Sequence, residues 1–525
     1  MSLGLESAGF IRMLANEISP MAAETFAYNL VKEAQSDGCA IDPRKMGSWN
    51  NHFCFLTDSP YEDGCSVDEK SYRNWKMHKR PGKEPQGFAK RILTEGVSPN
   101  LIVGDASRLA DILEGMKECD TPALWKGFDD IDILAGGPPC QSFSLAGKRQ
   151  RNHPRNSLFL SFVKIAKVIK PKAILFENVV GITKSFRDEG SGKSYPWFDV
   201  CCAFREGGYI PIPSLVNAAY FGVPQARPRF IIVALREDVA ERHQRVNAKN
   251  NPLAAAIALG QNNYGEGAVW KDGYDRDLIF RHESDASRKN WPVPLFPNPS
   301  NEDTKRISVS DAIGDLVGIA PDERFAQGPF ARNLDKLLKC PKWITQTGGI
   351  KNHKSRMHGD KTRARFRLLR FLADEGFRAK SMAEVIKKSD RVIERLKGKK
   401  LYLLDGNGDF KEPCIAGKAD IEKLLSELAS AKHAQRVLDP DEPAPAQLSI
   451  PDDFIHWKED RVLTIREMAR IQSFPDWFEF RSKETTGGSA RAYEVPQYTQ
   501  VGNAVPPLLS LAFGKSIKNF LGMLK

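Results

Sequence analysis

A single cysteine stands in an unusual loop of this 525-residue chain, within the stretch "GGPPCQSFS" from Gly136 to Ser144. Pro138 and Pro139 stiffen the loop and remove two backbone donors, while the glycines before them let a ligand approach the backbone closely. This pattern favours presentation of the Cys140 thiol to a ligand. A lone cysteine is also typical of an inert buried position, so a reactive thiol requires a partner that handles protons.

Glu177 offers a carboxylate that can handle protons for such a thiol. It lies in "AILFENV" (173–179), an apolar run whose composition is typical of a buried strand. A carboxylic acid in a dry pocket can donate a proton to a substrate, whereas a glutamate at a strand end also commonly caps a following helix. Both interpretations of Glu177 stay open on composition alone.

Short apolar runs recur along the first 236 residues and predict a buried parallel sheet. The predicted strands cover residues 101–105, 131–137, 173–179 and 229–236, and helical spacing predicts a helix over 157–170. In sheets of this kind, ligands bind beyond the carboxyl ends of the strands. Asp105, Cys140 and Glu177 all fall at that edge, so we predict that the site lies there.

The composition is typical of a soluble globular chain, which we expect in the cytoplasm. Hydrophobic residues make up 41% and charged residues 27% of the sequence. No run of about 18 apolar residues predicts a membrane span, and the first residues do not resemble a signal peptide. The length predicts two or three domains, and nine cysteines in so long a chain predict reduced thiols rather than a disulfide framework.

Positive charge is concentrated in one segment and indicates an anionic partner. The net charge is +11, and residues 341–400 alone hold 18 Lys or Arg against 6 Asp or Glu. Within this segment, "KTRARFRLLRFL" (361–372) sets arginines around Phe366 in a pattern suited to phosphates. A solvated basic helix face is the other interpretation of such a run.

Five motifs, in one order, resemble those of the DNA (cytosine-5)-methyltransferase family. They are "GGPPCQSFS" (136–144), "ENV" (177–179), "FGVPQARPRF" (221–230), "RVLTIREMARIQSFPDWFEF" (461–480) and "YTQVGNAVPPLL" (498–509). The resemblance covers about residues 1–236 and 450–525. It implies an α/β fold class, with a Rossmann-like S-adenosylmethionine-dependent methyltransferase sheet and a second, smaller target-recognition domain.

The resemblance implies defined roles for the cysteine and the glutamate. A Cys140 thiolate is expected to attack C6 of cytosine, which turns C5 into a nucleophile that accepts a methyl group. Glu177 is expected to protonate N3. Arg227 and Arg229 are expected to lie near the base and the catalytic loop, although by themselves they are equally suited to phosphate contacts. The target base must be flipped out of the duplex, at a cost of about a few kcal/mol.

S-adenosylmethionine is the methyl donor that the resemblance implies. Glu17 matches the acidic residue that accepts from the ribose hydroxyls, and Asp105 matches the residue near the adenine amino group. Pro138, Asn503 and Val505 match further cofactor contacts, the last two at the methionine end. Asn503 and Val505 lie in "GNAVPP", which is also typical of a turn before the last helix.

Three segments divide the chain in this interpretation. Residues 1–236 form the catalytic and cofactor-binding domain, with an insertion at about 41–95; residues 237–450 form the target-recognition domain; residues 451–525 return to the catalytic domain. The predicted DNA contacts are Gln141, Ser142, Gln225, Arg363, Arg365 and Arg367. We expect a monomer that acts on double-stranded DNA, with a cognate restriction endonuclease acting on the same site.

Two patterns in the middle region resemble metal sites incompletely. Cys340, His353 and His358 have the final spacing of a zinc finger but lack a second cysteine nearby. The segment "DGNGDFKEPCIA" (405–416) begins like a calcium loop, yet Phe410 stands where glycine is required. We therefore predict no bound metal.

The chain begins at "MSLGLESAGF" (1–10), a segment that in the family follows a strand and a Phe-x-Gly-x-Gly loop. That loop normally supplies backbone N–H groups to the methionine part of the cofactor. We therefore expect the DNA immediately upstream to encode, in frame, such a strand and loop. Two other functions stay open: methylation of RNA cytosine by the same residues, and DNA binding without turnover by a truncated relative.

Overall fold

Helices cover both faces of a central mixed sheet in the computed structural model of the chain. The residues that it describes are 1–31, 53–55, 101–118, 130–138, 158–188, 192–246, 251–271, 273–283, 285–300, 304–321, 323, 326–344, 349–396, 399, 401–404, 410–411, 417–430, 432, 434–447, 449–488, 490 and 494–524. Cys140, Gln141 and Ser142 lie outside these residues, as do most of the 41–95 insertion and most of the 405–416 segment. Among the described residues, no helix is both long enough and apolar enough to cross a membrane.

The elements follow one another as a mixture of short strands and helices. The strands are β1 (Ala15–Glu17), β2 (Phe53–Phe55), β3 (Leu101–Val103), β4 (Ile133–Gly136), β5 (Ala173–Val179), β6 (Phe186–Asp188), β7 (Gly192–Ser194), β8 (Tyr209–Asn217), β9 (Gln225–Ala226), β10 (Pro228–Arg236), β11 (Phe280–Arg281), β12 (Leu403–Leu404), β13 (Phe410–Lys411), β14 (Arg436–Val437), β15 (Ala444–Pro445) and β16 (Phe454–Ile455). The helices are α1 (Ser2–Ser7), α2 (Pro20–Leu30), α3 (Ala106–Glu118), α4 (Leu158–Ile169), α5 (Pro196–Glu206), α6 (Glu237–Val246), α7 (Pro252–Asn263), α8 (Tyr274–Asp277), α9 (Asp285–Arg288), α10 (Val309–Ile313), α11 (Pro329–Leu337), α12 (Asp360–Asp374), α13 (Met382–Lys387), α14 (Ser389–Leu396), α15 (Lys418–Glu427), α16 (Ile465–Ile471), α17 (Gln497–Asn503) and α18 (Pro507–Met523).

The central sheet has five strands in the order β11-β8-β10-β5-β4. Strand β4 runs parallel to β5, whereas β10 is antiparallel to both β5 and β8. The prediction that residues 229–236 form a parallel strand is therefore wrong in direction. Helices cover both faces of this sheet, and a central antiparallel strand that is buried on both faces shows the same continuous apolar run as a parallel one.

Alternate residues of β5 and β10 point into two separate cores. Leu175 and Val233 belong to a core shared with the C-terminal helices α16 and α18. Phe176 and Ile232 belong to a core built with α4 and α5 on the other face. The α/β fold class is confirmed, and the ends of β5 and β10 are held rigidly from both sides.

A second sheet, with three parallel strands in the order β1-β3-β2, carries the predicted cofactor carboxylates. Helix α3 follows β3 and packs against α4 of the central sheet. Across this contact, the hydroxyl groups of Ser161 and Ser107 lie 3.0 Å apart, and Lys164 pairs with Asp111 at 2.8 Å. The two helices therefore hold the two sheets next to each other.

A smaller core lies among residues 364–428. Its buried side chains come mainly from helices α12, α13, α14 and α15. Residues 309–350 contribute instead to the core of the central sheet. The chain thus has a second, smaller packing unit, while the predicted domain boundaries at 237 and 450 stay a prediction.

The first helix packs on the last one, and a glycine sets their separation. A Cβ atom on Gly4 would lie 2.3 Å from the Pro507 carbonyl oxygen and 2.6 Å from the Leu511 backbone nitrogen. Leu3 and Leu5, on either side, are buried. Backbone atoms, unlike the ends of flexible side chains, cannot move aside, so α1 approaches α18 only without a side chain at position 4.

Gly4→Ala is expected to lower the free energy of unfolding by about 1–3 kcal/mol, because α1 and α18 must separate to admit the methyl group. Gly522→Ala, also in α18, is the matched control because nothing lies within 4 Å of its Cβ position. There we expect a small gain from helix propensity. Urea-induced unfolding followed by circular dichroism measures both variants, and equal effects would contradict the tight contact.

Candidate active site

The end of β4 lies close to the end of β5 at Gly137. A Cβ atom on Gly137 would lie 2.8 Å from Oε2 of Glu177. In the same corner, the amide nitrogen Nδ2 of Asn178 donates to the carbonyl oxygen of Pro138 at 3.2 Å. The start of the predicted cysteine loop is therefore fastened beside the predicted proton-handling carboxylate.

Glu177 and Arg229 form an ion pair at this edge. Nε of Arg229 lies 2.8 Å from Oε1 of Glu177, and the two side chains are only 11% and 12% exposed. The register sets Arg229 opposite Val179, so the side chains of Arg229 and Glu177 leave the same face of the sheet. Burial lowers the pKa of Arg229, and the nearby Glu177 carboxylate opposes that shift. The guanidinium thus orients one carboxylate oxygen and leaves the other, Oε2, against Gly137.

Arg227 is buried and binds other parts of the protein. Its guanidinium donates to the carbonyl oxygens of Gln447 at 3.0 Å and Gly502 at 2.6 Å, and to Oε1 of Gln225 at 3.1 Å. Burial, together with the positive charge of Arg229, lowers the pKa of Arg227 to about 9. Its donors join the β9 segment to the C-terminal part of the chain. The expected place of Arg227 near the base and the catalytic loop stays a prediction.

Gln225 belongs to the same buried hydrogen-bond network, which we call the buried joint and which links Gln225, Arg227 and Gln447. Its Oε1 accepts from Arg227 and from the backbone nitrogen of Gln447, both at 3.1 Å. Its side chain has no exposed surface. The observed partners of Gln225 thus lie inside the protein, and its DNA contact stays a prediction.

The closing motif "GNAVPP" lies directly against this joint. Helix α17 ends at Asn503, which is exposed, and Val505 beyond it is half-buried. The carbonyl oxygens of Gly502 and Ala504 accept from Arg227 at 2.6 and 3.4 Å. Arg227 therefore positions the turn that carries Asn503 and Val505, and the prediction of a turn before the last helix is confirmed.

Glu17 and Asp105 lie side by side at the carboxyl ends of adjacent parallel strands. Strand β1 pairs with β3 so that Glu17 is opposite Val103. Glu17 accepts from the backbone nitrogen of Ser19, and Asp105 from that of Ser107, both at 2.8 Å. Carboxylate oxygens accept hydrogen bonds from hydroxyl and amino groups, so this pair of acceptors fits the nucleoside part of S-adenosylmethionine.

The three predicted arginines of α12 do not share one environment. Arg365 is buried, and its guanidinium donates to the carbonyl oxygens of Leu428 at 2.7 Å and Ala429 at 3.1 Å, just past the end of α15. Its donors cap a helix end inside the small core, and the DNA contact of Arg365 stays a prediction. Arg363 and Arg367 lie on another face of α12 and are 42% and 37% exposed.

The side chains with zinc-like spacing bond to the protein itself. Nδ1 of His353 lies 3.0 Å from the hydroxyl of Thr464, and Nε2 of His358 accepts from the backbone nitrogen of Val462 at 3.4 Å. Over the part of the chain that the structure describes, no cluster of three or more potential metal ligands occurs.

Two elements of the site had no separate signal in the sequence analysis. Asn178 is the middle letter of "ENV", and its bond to Pro138 depends on a contact between two strand ends. The acidic partner of the α12 arginines, Asp460, lies 90 residues or more along the chain from them. For Asn178, the sequence offered only a polar residue inside a motif. For Asp460, no pattern in the sequence indicated the pairing with α12.

Comparison with known proteins places the chain in a family. The profile of the C-5 cytosine-specific DNA methylase family matches residues 110–519. The type II methyltransferase M.DdeI of Desulfomicrobium norvegicum is 28% identical over 77% of this chain and 77% of its own length. M.AgeI of Thalassovita gelatinovora is 27% identical over 74% and 83%. Among solved structures, a DNA modification methyltransferase encoded within an E. coli prophage has a TM-score of 0.48 and 19% identity, over 99% of this chain and 96% of that chain.

The chain belongs to the C-5 cytosine-specific DNA methylase family, because the family profile matches most of its length. It is a DNA (cytosine-5)-methyltransferase that methylates cytosine in DNA with S-adenosylmethionine as methyl donor. The carboxylates of Glu17 and Asp105, on adjacent strand ends, fit that cofactor. The resemblance stated from the five motifs is confirmed.

Arg227→Lys is expected to lower the free energy of unfolding by about 1–3 kcal/mol, because lysine cannot bind the Gln447 and Gly502 carbonyls together and leaves a buried acceptor unpaired. Arg229→Lys, two residues on, is the matched comparison. We expect it to slow methyl transfer more and to change stability less, because its principal partner is Glu177. Urea unfolding and transfer of a labelled methyl group to DNA separate the two effects. The opposite ranking would contradict these roles.

Proposed function

We propose that this enzyme methylates C5 of a flipped-out cytosine in a specific double-stranded DNA sequence, through a covalent bond between Cys140 and C6. The observation that carries the proposal is the placement of Glu177, which Arg229 holds against Gly137, three positions before Cys140 in the chain. A nearly buried glutamate whose Oε1 is held by Arg229 suits a proton contact to a ring nitrogen when its Oε2 carries the proton.

Each residue then has a defined step. The Cys140 thiolate forms a bond to C6, and the electrons of the C5–C6 double bond move towards C5. Glu177 gives a proton to N3, which relieves the negative charge that this addition places on the ring. Bound S-adenosylmethionine supplies an electrophilic methyl group. C5 bonds to that methyl group, and S-adenosylhomocysteine is the leaving group. Loss of the C5 proton to a base then restores the double bond and expels the thiolate, and the N3 proton returns to Glu177, so both residues end as they began.

Because the target cytosine must be flipped out of the duplex, the site must hold its reacting groups in place at little further cost. A stacked cytosine does not expose C6 to a thiolate, so the base has to leave the duplex at a cost of about a few kcal/mol. Rigid strand ends reduce the further cost of arranging the reacting groups. The packing of β5 and β10 between two cores supports this part of the proposal.

The cofactor contacts follow the same reasoning. We assign the ribose hydroxyls to Glu17 and the adenine amino group to Asp105, since each carboxylate stands at the end of a parallel strand. Pro138, Asn503 and Val505 are assigned to the methionine side. The bond of Asn178 to Pro138, and the bonds of Arg227 to the turn at 502–504, support these positions.

DNA recognition is assigned to the region 237–450 and to the cysteine loop. Within it, the small core carries the exposed Arg363 and Arg367 of α12, and these arginines, with Gln141 and Ser142, remain the proposed DNA contacts. We further propose a monomer in the cytoplasm that shares its site with a cognate restriction endonuclease. The type II designation of the relatives M.DdeI and M.AgeI supports the endonuclease partner.

A duplex with 5-fluorocytosine at the target is expected to trap a covalent complex, because fluorine cannot leave C5 as a proton does. Cys140→Ala is expected to abolish the trapped species on a denaturing gel. Cys202→Ala is the matched control, since that half-buried thiol lies on α5, outside the active-site edge, and we expect full trapping. An adduct that persists in Cys140→Ala would refute the nucleophile, and trapping on RNA but not on DNA would favour the RNA alternative.

A further inference from the structure

Helix α12 presents a row of arginines to an open groove. Arg363, Arg367 and Arg370 recur at helical spacing on one face, while Leu368 and Leu372 on the opposite face are buried in the small core. The groove has a volume of about 730 Å³. We call it the arginine groove; the residues that define it here are Arg356, Arg363, Arg367, Arg370, Lys458 and Asp460.

Positive charge dominates the lining of the arginine groove. Six cationic and three acidic side chains line it. One of the cations, Arg461, is occupied, because it makes two hydrogen bonds of 2.8 and 2.7 Å to the buried carboxylate of Glu467. Among the described residues, the acidic partner of Arg363 is the distant Asp360, at 3.8 Å. The groove therefore suits an anion, and α12 provides the largest share of the attraction.

One carboxylate stands behind the arginines rather than among them. Asp460 pairs with Arg370 at 2.6 Å and with Arg367 at 3.2 Å. Its side chain is 9% exposed, whereas those of Arg370 and Arg367 are 20% and 37% exposed. An incoming anion thus meets the guanidinium groups first, and Asp460 competes with that anion for the same two cations.

The turn that carries Asp460 is held rigidly. Nδ1 of His456 accepts from the backbone nitrogens of Lys458 and Glu459 at 3.0 and 3.2 Å. The Glu459 carboxylate in turn accepts from the backbone nitrogen of Gly318 at 3.1 Å. The backbone that carries Asp460 is therefore fixed beside Arg367 and Arg370, so its charge stays near both cations when an anion enters.

The spacing of the arginines fits a repeated anion better than a single small one. Seven helical positions separate Arg363 from Arg370, which is about 10 Å along the axis. That length corresponds to about three nucleotides of one DNA strand, which advances about 3.4 Å per residue. Arginine guanidinium groups bind phosphate oxygens in pairs of hydrogen bonds.

We infer that the arginine groove binds the phosphodiester backbone of DNA, and that Asp460 is a built-in counter-ion that limits the strength of this binding. The inference rests on the proposed function for the identity of the ligand. Backbone contacts carry no sequence information and add affinity that salt weakens. A permanent internal competitor keeps such binding weak enough for the enzyme to leave non-target DNA.

Asp460→Asn in the full-length protein is expected to bind a 20-base-pair dA·dT duplex about five-fold more tightly, because removal of a partly exposed ion-pair partner is worth about that factor. The slope of log affinity against log salt should become steeper by about one. Asp390→Asn is the matched control, since this exposed carboxylate lies on α14 outside the arginine groove and its loss changes the net charge equally. Fluorescence anisotropy of a labelled duplex gives both quantities.

Arg363→Gln tests the groove without disturbing the Asp460 pairs. We expect weaker binding and a slope that is shallower by about one, whereas Arg395→Gln, an exposed position on α14, should leave the slope unchanged. Equal slopes for the two arginine variants would overturn the groove assignment. Binding by Asp460→Asn that is no tighter than that of Asp390→Asn would overturn the counter-ion role. If Asp460→Asn does not fold, as circular dichroism would show, Arg363→Gln alone decides the groove.

Two further measurements distinguish backbone binding from a mononucleotide site and from the catalytic proposal. Competition by adenosine monophosphate at micromolar concentration would show a mononucleotide site and refute backbone binding. The dA·dT duplex contains no cytosine and the assay no S-adenosylmethionine, so the anisotropy result does not depend on methyl transfer. If the salt slopes are as expected but no covalent complex forms at Cys140, only the catalytic proposal is refuted. If the covalent complex forms but the salt slopes do not change, only the groove assignment is refuted.

Discussion

The buried guanidinium of Arg227 connects the strand end that follows β9 to the C-terminal part of the chain. Arg227 follows β9 directly, and its donors reach Gln447, Gly502 and Ala504, which come more than two hundred residues later in the chain. A charge without water requires hydrogen-bond partners, because an unpaired buried charge costs several kcal/mol. Carbonyl groups of Gln447, Gly502 and Ala504 accept from both terminal nitrogens of the guanidinium, while its Nε has no partner among the described residues. The turn that carries Asn503 and Val505 and the strand end that carries Arg229 are therefore positioned by one residue.

The closing segment extends the same principle to a whole helix. All seven residues of α16, "IREMARI", are buried, although its charges recur as on an exposed helix. Arg466 donates to the Lys351, Pro475 and Phe478 carbonyl oxygens, and Arg470 pairs with Asp476. Two hydrogen bonds from Arg461 overcome burial and hold the pKa of Glu467 at about 2. Hydrogen bonds and ion pairs of the buried arginines, together with apolar contacts, therefore determine the position of α16 relative to the sheet.

The sequence predicted those parts of the fold that depend on local patterns. Strand β5 has the predicted bounds, and α4 differs from its prediction by one residue at each end. Strand β8 was not predicted, because Pro211 and Pro213 argue against an internal strand. The structure accommodates them because β8 pairs with β10 along its whole length but with β11 only at Ser214 and Leu215.

The candidate site was predictable where a motif fixes a residue's place and not where a partner lies far along the chain. Glu17 and Asp105, which the resemblance assigned to the cofactor, lie at the carboxyl ends of adjacent parallel strands. Gln225, Arg227 and Arg365 have the residue types that bind DNA or a base, yet their partners are carbonyl and amide groups of residues 428–504. Side-chain chemistry alone does not distinguish an external anion from an internal carbonyl group.

The packing of α1 on α18 has a consequence for biosynthesis. The amino group of Lys518 donates to the carbonyl oxygen of Gly9 across 509 positions of sequence. At about 5–20 residues per second, a ribosome needs roughly half a minute to two minutes to make this chain. Leu3 and Leu5 therefore leave the ribosome long before the residues of α18 that cover them. The turn at 502–504 is also made long after the strands that carry Glu17 and Asp105, so a nascent chain lacks this part of the site until then.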